Sequence, residues 1–515
     1  MLGVFPLLSA TYSGITRHKY LSMLLLTALT LVLFVEEKIR EGKTGASRGK
    51  TRALIFPSVI LGSLWFLWIL LSCFFGTMAD ALNSSGQRAV FFGAVRYEGL
   101  ISQSCYFLLF LLFALSKADV EKIIRFSAAS LLVFSGIVVL QYLGQNPLDL
   151  YPKGRSMRSN YEFQGTIGNI DLVNGYLCLM IPLCLGLCLM KGARGNVLLL
   201  LAGFSGMVLE CLMEVQSGQM AMLLYMAALL VAALMRPALR KRCFLQLSLF
   251  CLALTLRHLL YLPWLDDPMF RQQVTEAAEL GQVYTSEAPA FGFHMKALPY
   301  IAACFAFAAL AVVSHLHPGR AVRARWILGS GALLALAGFL LLWLYPWGEG
   351  SGAVWELHEI LSGRGQDSFG SWRWGVWRHT LEMSGKSPLF GTGPDTFLYA
   401  MQAHLLETGA VLGENFDNPH NLYLGMLSQS GIPALLFYLG MIASTLWGLI
   451  RRGARNMQGH PECVCLTLAL CLYFFQGLFC FSLCITSPMV FTVLGLGAGA
   501  ADKFQSQGTR PSKGL

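Results

Sequence analysis

Runs of about twenty apolar residues, repeated along almost the whole chain, restrict the fold more than any other feature of this sequence. A run of that length covers the ~30 Å hydrocarbon core of a bilayer as a helix, which satisfies its own backbone N–H and C=O groups where no water can reach them. Regular ten-residue segments of alternating polarity, which closed membrane strands would need, are absent. The sequence therefore reads as an all-α polytopic membrane protein. Its mean hydropathy of +0.57 and its 13% content of charged residues agree, since soluble globular chains carry about 25% charge. About 13 transmembrane helices are expected, near 21–35, 53–76, 100–116, 123–143, 173–190, 196–213, 217–235, 243–262, 299–316, 326–345, 421–450, 462–481 and 484–501.

The loops give an orientation. Lys38, Arg40, Lys43, Arg48, Lys50 and Arg52 fill one connection; RPALRKR at 236–242, RAVRAR at 320–325 and RRGAR at 451–455 fill others, with Lys117, Lys122, Lys191 and Arg194 between. Every second loop is basic, which predicts a cytoplasmic position for that set. The long connections 77–99, 144–172, 263–298 and 346–420 then face outward together. On this reading, residues 1–345 form N-terminal membrane helices and 346–420 an extracytoplasmic loop carrying short helices. Residues 421–501 form C-terminal membrane helices, and 502–515 a cytoplasmic tail. The opening stretch MLGVFPLLSATYSG lacks a basic start and is short for a cleavable signal; it reads as a truncated or half-spanning first helix.

The formal charge of +10 follows this loop pattern, so it speaks for topology and against a nucleic-acid partner. All 14 cysteines fall in or beside apolar runs and read as small core residues, not as a disulfide or metal framework. No phosphate-cradling G-x-x-x-x-G-K-[ST] loop occurs. No internal repeat with matched broken helices is evident either, which weakens a transporter reading.

Chemistry is most naturally sought in the polar passage 346–426, which holds Arg364, Arg373, Arg378, His404 and His420. The run Trp372–Arg378 followed by HTLEM suits an amphipathic helix with Arg373, Trp377 and Thr380 on one face. Such a helix presents a guanidinium able to grip a phosphate with two parallel hydrogen bonds; an interfacial anchor is the alternative. SPLFGTGPDTF at 387–397 reads as a tight turn, either a pocket floor or a surface loop. In Asp417-Asn418-Pro419-His420-Asn421 the proline suits the first turn of a re-entering helix, leaving His420 at its outer end with Asp417 or Asn421 to orient it. There it could accept a hydroxyl proton, or be a polar residue of no further use. The cations Lys153, Arg155 and Arg158 cluster unexpectedly on the outward side. The acidic loop 263–298 offers no metal-ligand spacing.

The stretch FGSWRWGVWRHTLEMSGKSPLFGTGPDTF, followed by DNPHNLYLGMLSQSGIPALLFYLG, resembles the signature region of the O-antigen ligase superfamily, whose members include O-antigen ligases, O-antigen polymerases and bacterial protein O-oligosaccharyltransferases. Arg96-Tyr97-Glu98-Gly99-Leu100 and Gly165-Thr166-Ile167-Gly168-Asn169 are also similar to stretches of that group, so the resemblance spans roughly residues 90–445. It implies a metal-independent, inverting glycosyltransferase of the cell membrane, active on the extracytoplasmic face and without a cofactor. The donor would be a glycan on a polyprenyl diphosphate, and the acceptor a glycan, lipid or protein. Arg373 would pair with the diphosphate and His420 would act as general base, with substrate contacts at Arg96, Arg158, Asn421 and Trp377. Many members carry Ser-Arg-Gly at the outer start of a middle helix; here Val215-Gln216-Ser217-Gly218-Gln219-Met220 has no arginine. Either Arg158, Arg96 or Arg271 takes that part, or the substrate or activity differs. A transporter or flippase of a lipid-linked or anionic solute is the competing class, and a scaffold for polysaccharide assembly a third.

Overall fold

A computed structural model describes residues 1–11, 14–43, 57–152, 163–213, 215–265, 297–317, 329, 333, 353–413 and 415–502. Its elements are almost entirely helical: α1 (Ile15–Lys43), α2 (Pro57–Phe75), α3 (Ala89–Phe92), α4 (Leu100–Leu115), α5 (Val120–Tyr142), α6 (Ile170–Lys191), α7 (Val197–Met213), α8 (Gln216–Met235), α9 (Pro237–Leu265), α10 (Ala297–Leu316), α11 (Ala353–Leu361), α12 (Arg373–Lys386), α13 (Phe397–Thr408), α14 (Leu422–Arg455), α15 (Pro461–Gln476) and α16 (Ser487–Asp502). Among the described residues, seven of these are long and apolar enough to cross a bilayer (α1, α2, α5, α6, α8, α10 and α14), and α4, α7, α15 and α16 are shorter apolar helices. The expected span 326–345 lies outside the described residues apart from Gly329 and Leu333.

The most apolar stretch occupies the centre. From Leu172 to Met190 every residue of α6 is buried, as a helix with no polar face requires. It packs against α5, α7, α8, α9 and α15, while α14 lies along α2 and α16 along α4. Asn169 caps α6, its side chain accepting from the amides of Asp171 and Leu172, and ends a short hairpin that pairs Phe163 with Asn169 and Gln164 with Gly168. The first eleven residues differ from expectation. They form no half-span; a single 3-10 turn at Phe5–Leu7 is buried against the bundle, where Lys19 donates to the carbonyls of Phe5 and Pro6.

Among the described residues, the basic connections gather at one end; RAVRAR at 320–325 lies outside them. Lys38 donates to the Leu115 carbonyl at the end of α4, Lys117 pairs with Glu41, and Lys191 pairs with Glu121. Arg125 reaches Asn196, and Arg242 reaches the last carbonyls of α6. The helices α4 and α14 run toward this end, so Leu100 and Leu422, with the polar segments that precede them, lie at the other. There α12 and α13 enclose a small second core of Val376, Met383, Phe397, Ala400, Met401, Leu412 and Phe416.

Candidate active site

The turn Ser387–Thr396 is the keystone of that end. It lodges where α14 is broken: Gly431 has φ 80° and ψ 176°, and Pro433 follows. The freed backbone groups pair with the turn, with the amides of Thr392 and Gly393 donating to the carbonyls of Ser428 and Gln429, and the amide of Ile432 to that of Pro388. From α2, Trp68 donates to the Leu389 carbonyl at 2.8 Å and Ser72 to that of Gln429 at 2.9 Å. A Cβ on Gly431 would sit 2.1 Å from the Leu389 oxygen and one on Gly391 2.6 Å from that of Ser428, so only glycine allows the strands of backbone to meet.

The turn holds Asp395 in place, and Asp395 in turn holds the segment before α4. One carboxylate oxygen, Oδ2, accepts from the amides of Ala94 (2.8 Å), Glu98 (3.1 Å) and Arg96 (3.4 Å). Burial pushes the Asp395 carboxyl up to about 6, against the pull of those amides and of Arg96. Burial likewise pushes the neighbouring Glu98 up to about 8, although Tyr106 donates to it at 2.6 Å. Arg96, fixed by this arrangement, donates through Nε to Asp417 at 2.5 Å and lays its guanidinium 4.4 Å from the Phe481 ring centroid.

Asp417 opens the segment expected to carry the base. Helix α14 begins later than the proline suggested: Asn421 is the N-cap, accepting from the amides of Tyr423 and Leu424, so Pro419 and His420 precede the helix. Asn418 accepts from the His420 amide at 2.9 Å and steadies the residue at φ 48°. The orienting contacts expected of Asp417 and Asn421 are not formed. Asp417 is committed to Arg96 and Asn418, and Asn421 to its cap and the Leu478 carbonyl. The His420 ring instead stands edge-on between Phe416 and Phe481, at centroid distances of 6.2 and 5.2 Å, and its Nδ1 is buried without a hydrogen-bond partner. Burial first, then the positive charges of Arg373 and Arg96, lower its pKa to about 4, with Asp417 opposing. The imidazole is therefore neutral at pH 7 and carries a free lone pair.

Arg373 opens α12 after two residues, Ser371 and Trp372, in left-handed backbone. Trp377, one turn on, donates to the Pro419 carbonyl at 2.8 Å and ties α12 to the His420 segment. Of the arginines in the polar passage, Arg364 is paired with Glu359 and Arg378 with Asp367 and Glu382. The Arg373 guanidinium has no ion pair or hydrogen bond among the described residues, which leaves its charge available to a ligand.

A cavity of about 720 Å³, counting its open mouth, adjoins these groups; Arg96, Glu98, Asp395, Asp417, Asn421 and Gln429 are among its polar walls, with Trp65 and Phe481 among the apolar ones. Arg373, Trp377 and His420 are not among the residues lining it. Arg158 and Arg271 lie outside the described residues. Gln216–Gly218 begins α8, where Gly218 is pressed against Asn174 and Glu210, which are hydrogen-bonded at 3.0 Å. Of the three candidate substitutes, Arg96 alone lies among the described residues, and its charge, after that of Arg373, acts on His420. Asp395 escaped the sequence reading: its only signal was its place in a Gly/Pro turn, and its partners lie some 300 positions away.

Residues 296–439 match the family model described as O-Antigen ligase. A search of curated proteins gave no match.

Proposed function

We propose, from the premise that the chain belongs to the O-antigen ligase superfamily, that it transfers or polymerises a glycan from a polyprenyl-diphosphate-linked donor on the outer face of the cytoplasmic membrane. The observation that carries this reading is one shared electrostatic environment: an unpaired Arg373 and a tethered Arg96 both act on a neutral, half-buried His420. In the reaction, His420 takes the proton of the acceptor hydroxyl as its oxygen bonds to the anomeric carbon. The bond from that carbon to the diphosphate oxygen breaks, and the lipid diphosphate leaves with the electron pair. A single displacement inverts the anomeric centre. Charge grows on the leaving diphosphate, and Arg373 offsets it with a fixed guanidinium in a site poor in water. Because arginine supplies that charge, the transfer step itself asks for no metal.

The test uses purified protein and a polyprenyl-diphosphate glycan labelled in the sugar, following both glycan transfer and release of lipid diphosphate. Arg373→Ala and His420→Ala should each reduce turnover by about 10²-fold or more. Full turnover in both variants would remove the reading. Passage of unaltered donor across vesicles, with no transfer, would favour transport instead.

A further inference from the structure

Away from the Arg373 face, α12 and α13 bring three ligand-type atoms together. His379 Nδ1 lies 3.3 Å from His404 Nε2, and Glu382 Oε2 lies 3.4 Å from each of them. His379 and Glu382 are three residues apart on α12 and so share a face, to which α13 presents His404. Both histidines are buried, at 2% and 4% exposure, whereas 43% of the Glu382 side chain is exposed and gives an ion a way in. A tetrahedral Zn²⁺ with ligands at about 2.0–2.1 Å sets its ligand atoms about 3.3–3.4 Å apart. The observed triangle has that edge on all three sides.

We propose that His379, Glu382 and His404 form a site for a divalent cation of the zinc type, which pins α12 to α13. Two imidazoles and a carboxylate suit that class of ion, and the fourth position is left for water. The surroundings fit monodentate binding by Glu382, because Arg378 holds its other oxygen, Oε1, at 3.2 Å. Ligation through His379 Nδ1 puts the ring proton on Nε2, which faces Asp367 Oδ2 at 3.8 Å. Arg378, now 3.2 Å from that Nε2, would give up this contact and keep its bonds to Asp367 and Glu382. Lys386, the other cation near this face of α12, is ion-paired with Glu407 at 2.7 Å. His379 stands about 9 Å along α12 from Arg373 and about 120° around it, so the ion would steady the helix without touching the diphosphate. The site goes beyond the proposed transfer reaction and does not rest on it.

Co²⁺ is the probe. Full-length protein in detergent, stripped with a chelator, should bind one Co²⁺ with the intense visible bands of a four-coordinate site, and Zn²⁺ should displace it. His404→Gln and Glu382→Gln should each weaken Co²⁺ binding more than tenfold, and Asp367→Asn on the order of 10-fold through the His379 proton. Zn²⁺ should raise the unfolding temperature of the parent protein and not that of the variants; the exposed position of Glu382 makes its variant the one least exposed to misfolding. Co²⁺ binding equal in the parent and in Glu382→Gln, or only weak six-coordinate spectra, would overturn the site. No donor or acceptor enters the assay, so its failure leaves the transfer reaction untouched.

Discussion

His420 is neutral over most of the pH range because burial and two guanidinium groups all disfavour its protonated form. This sets the pH dependence. A general base must be unprotonated, so activity falls with decreasing pH through the base's own pKa. For kcat/KM, which reports the free enzyme, that fall should lie near pH 4 and not near the ordinary imidazole value of 6.5. Bound diphosphate would offset Arg373 and Arg96, raising the imidazole pKa and placing the acid limb of kcat at higher pH than that of kcat/KM. A kcat/KM limb at 6.5 would mean that another group is titrating. The residue types behind this behaviour could be picked out in the sequence, since Arg373 and His420 stand in recognisable motifs. Their couplings could not. Arg373 is distinguished from Arg364 and Arg378 only by the acidic partners those two find, and Arg96 meets Asp417 across 321 positions. His379 and Glu382, three positions apart in the HTLEM run, passed without notice in the sequence, and nothing in the spacing links them to His404 on the next helix.

Helices were legible where an apolar run forced them, and less so where the chain departs from one. The run through α14 reads as a single span because its hydrophobicity continues past Gly431, yet the backbone breaks there to receive the 387–396 turn. Gly431-Ile432-Pro433 has the composition of a breaker, but the turn it receives lies some forty residues earlier in the chain. Pro419 misled in the opposite direction: a proline at a helix start is common, but Asn421 is the better cap because its oxygen takes two free amides. The joint itself makes a demand that substitution can test. At Gly431→Ala the left-handed backbone alone costs ~1–3 kcal/mol, and the new methyl would meet the Leu389 oxygen. A lowered unfolding temperature in detergent and a loss of transfer larger than the loss of folded protein are expected, because the turn also positions Asp395 and through it Arg96. An unchanged Gly431→Ala protein would show that the turn and the broken helix are not coupled.

Across the whole molecule, charge and chain direction agree. The basic connections among the described residues meet at one end of the bundle, whereas Arg96, Asp395 and His420 lie at the other. The positive-inside bias assigns the basic end to the cytoplasm, and a lipid-linked donor on the opposite leaflet would then meet the cations directly. The cysteines suit a direct test: all fourteen are free, and only Cys105, Cys304 and Cys471, each within an apolar helix, are not fully buried. Background labelling by a membrane-impermeant maleimide should therefore be low in intact cells. Leu406, 85% exposed at the end of α13, and Gln458, exposed between α14 and α15, lie at opposite ends of the bundle. Leu406→Cys should be labelled in intact cells, and Gln458→Cys only after the membrane is opened. The reverse pattern would turn the site toward the cytoplasm, where a donor carried on the outer leaflet could not reach it, and the functional proposal would fall with the topology even if every local contact stood.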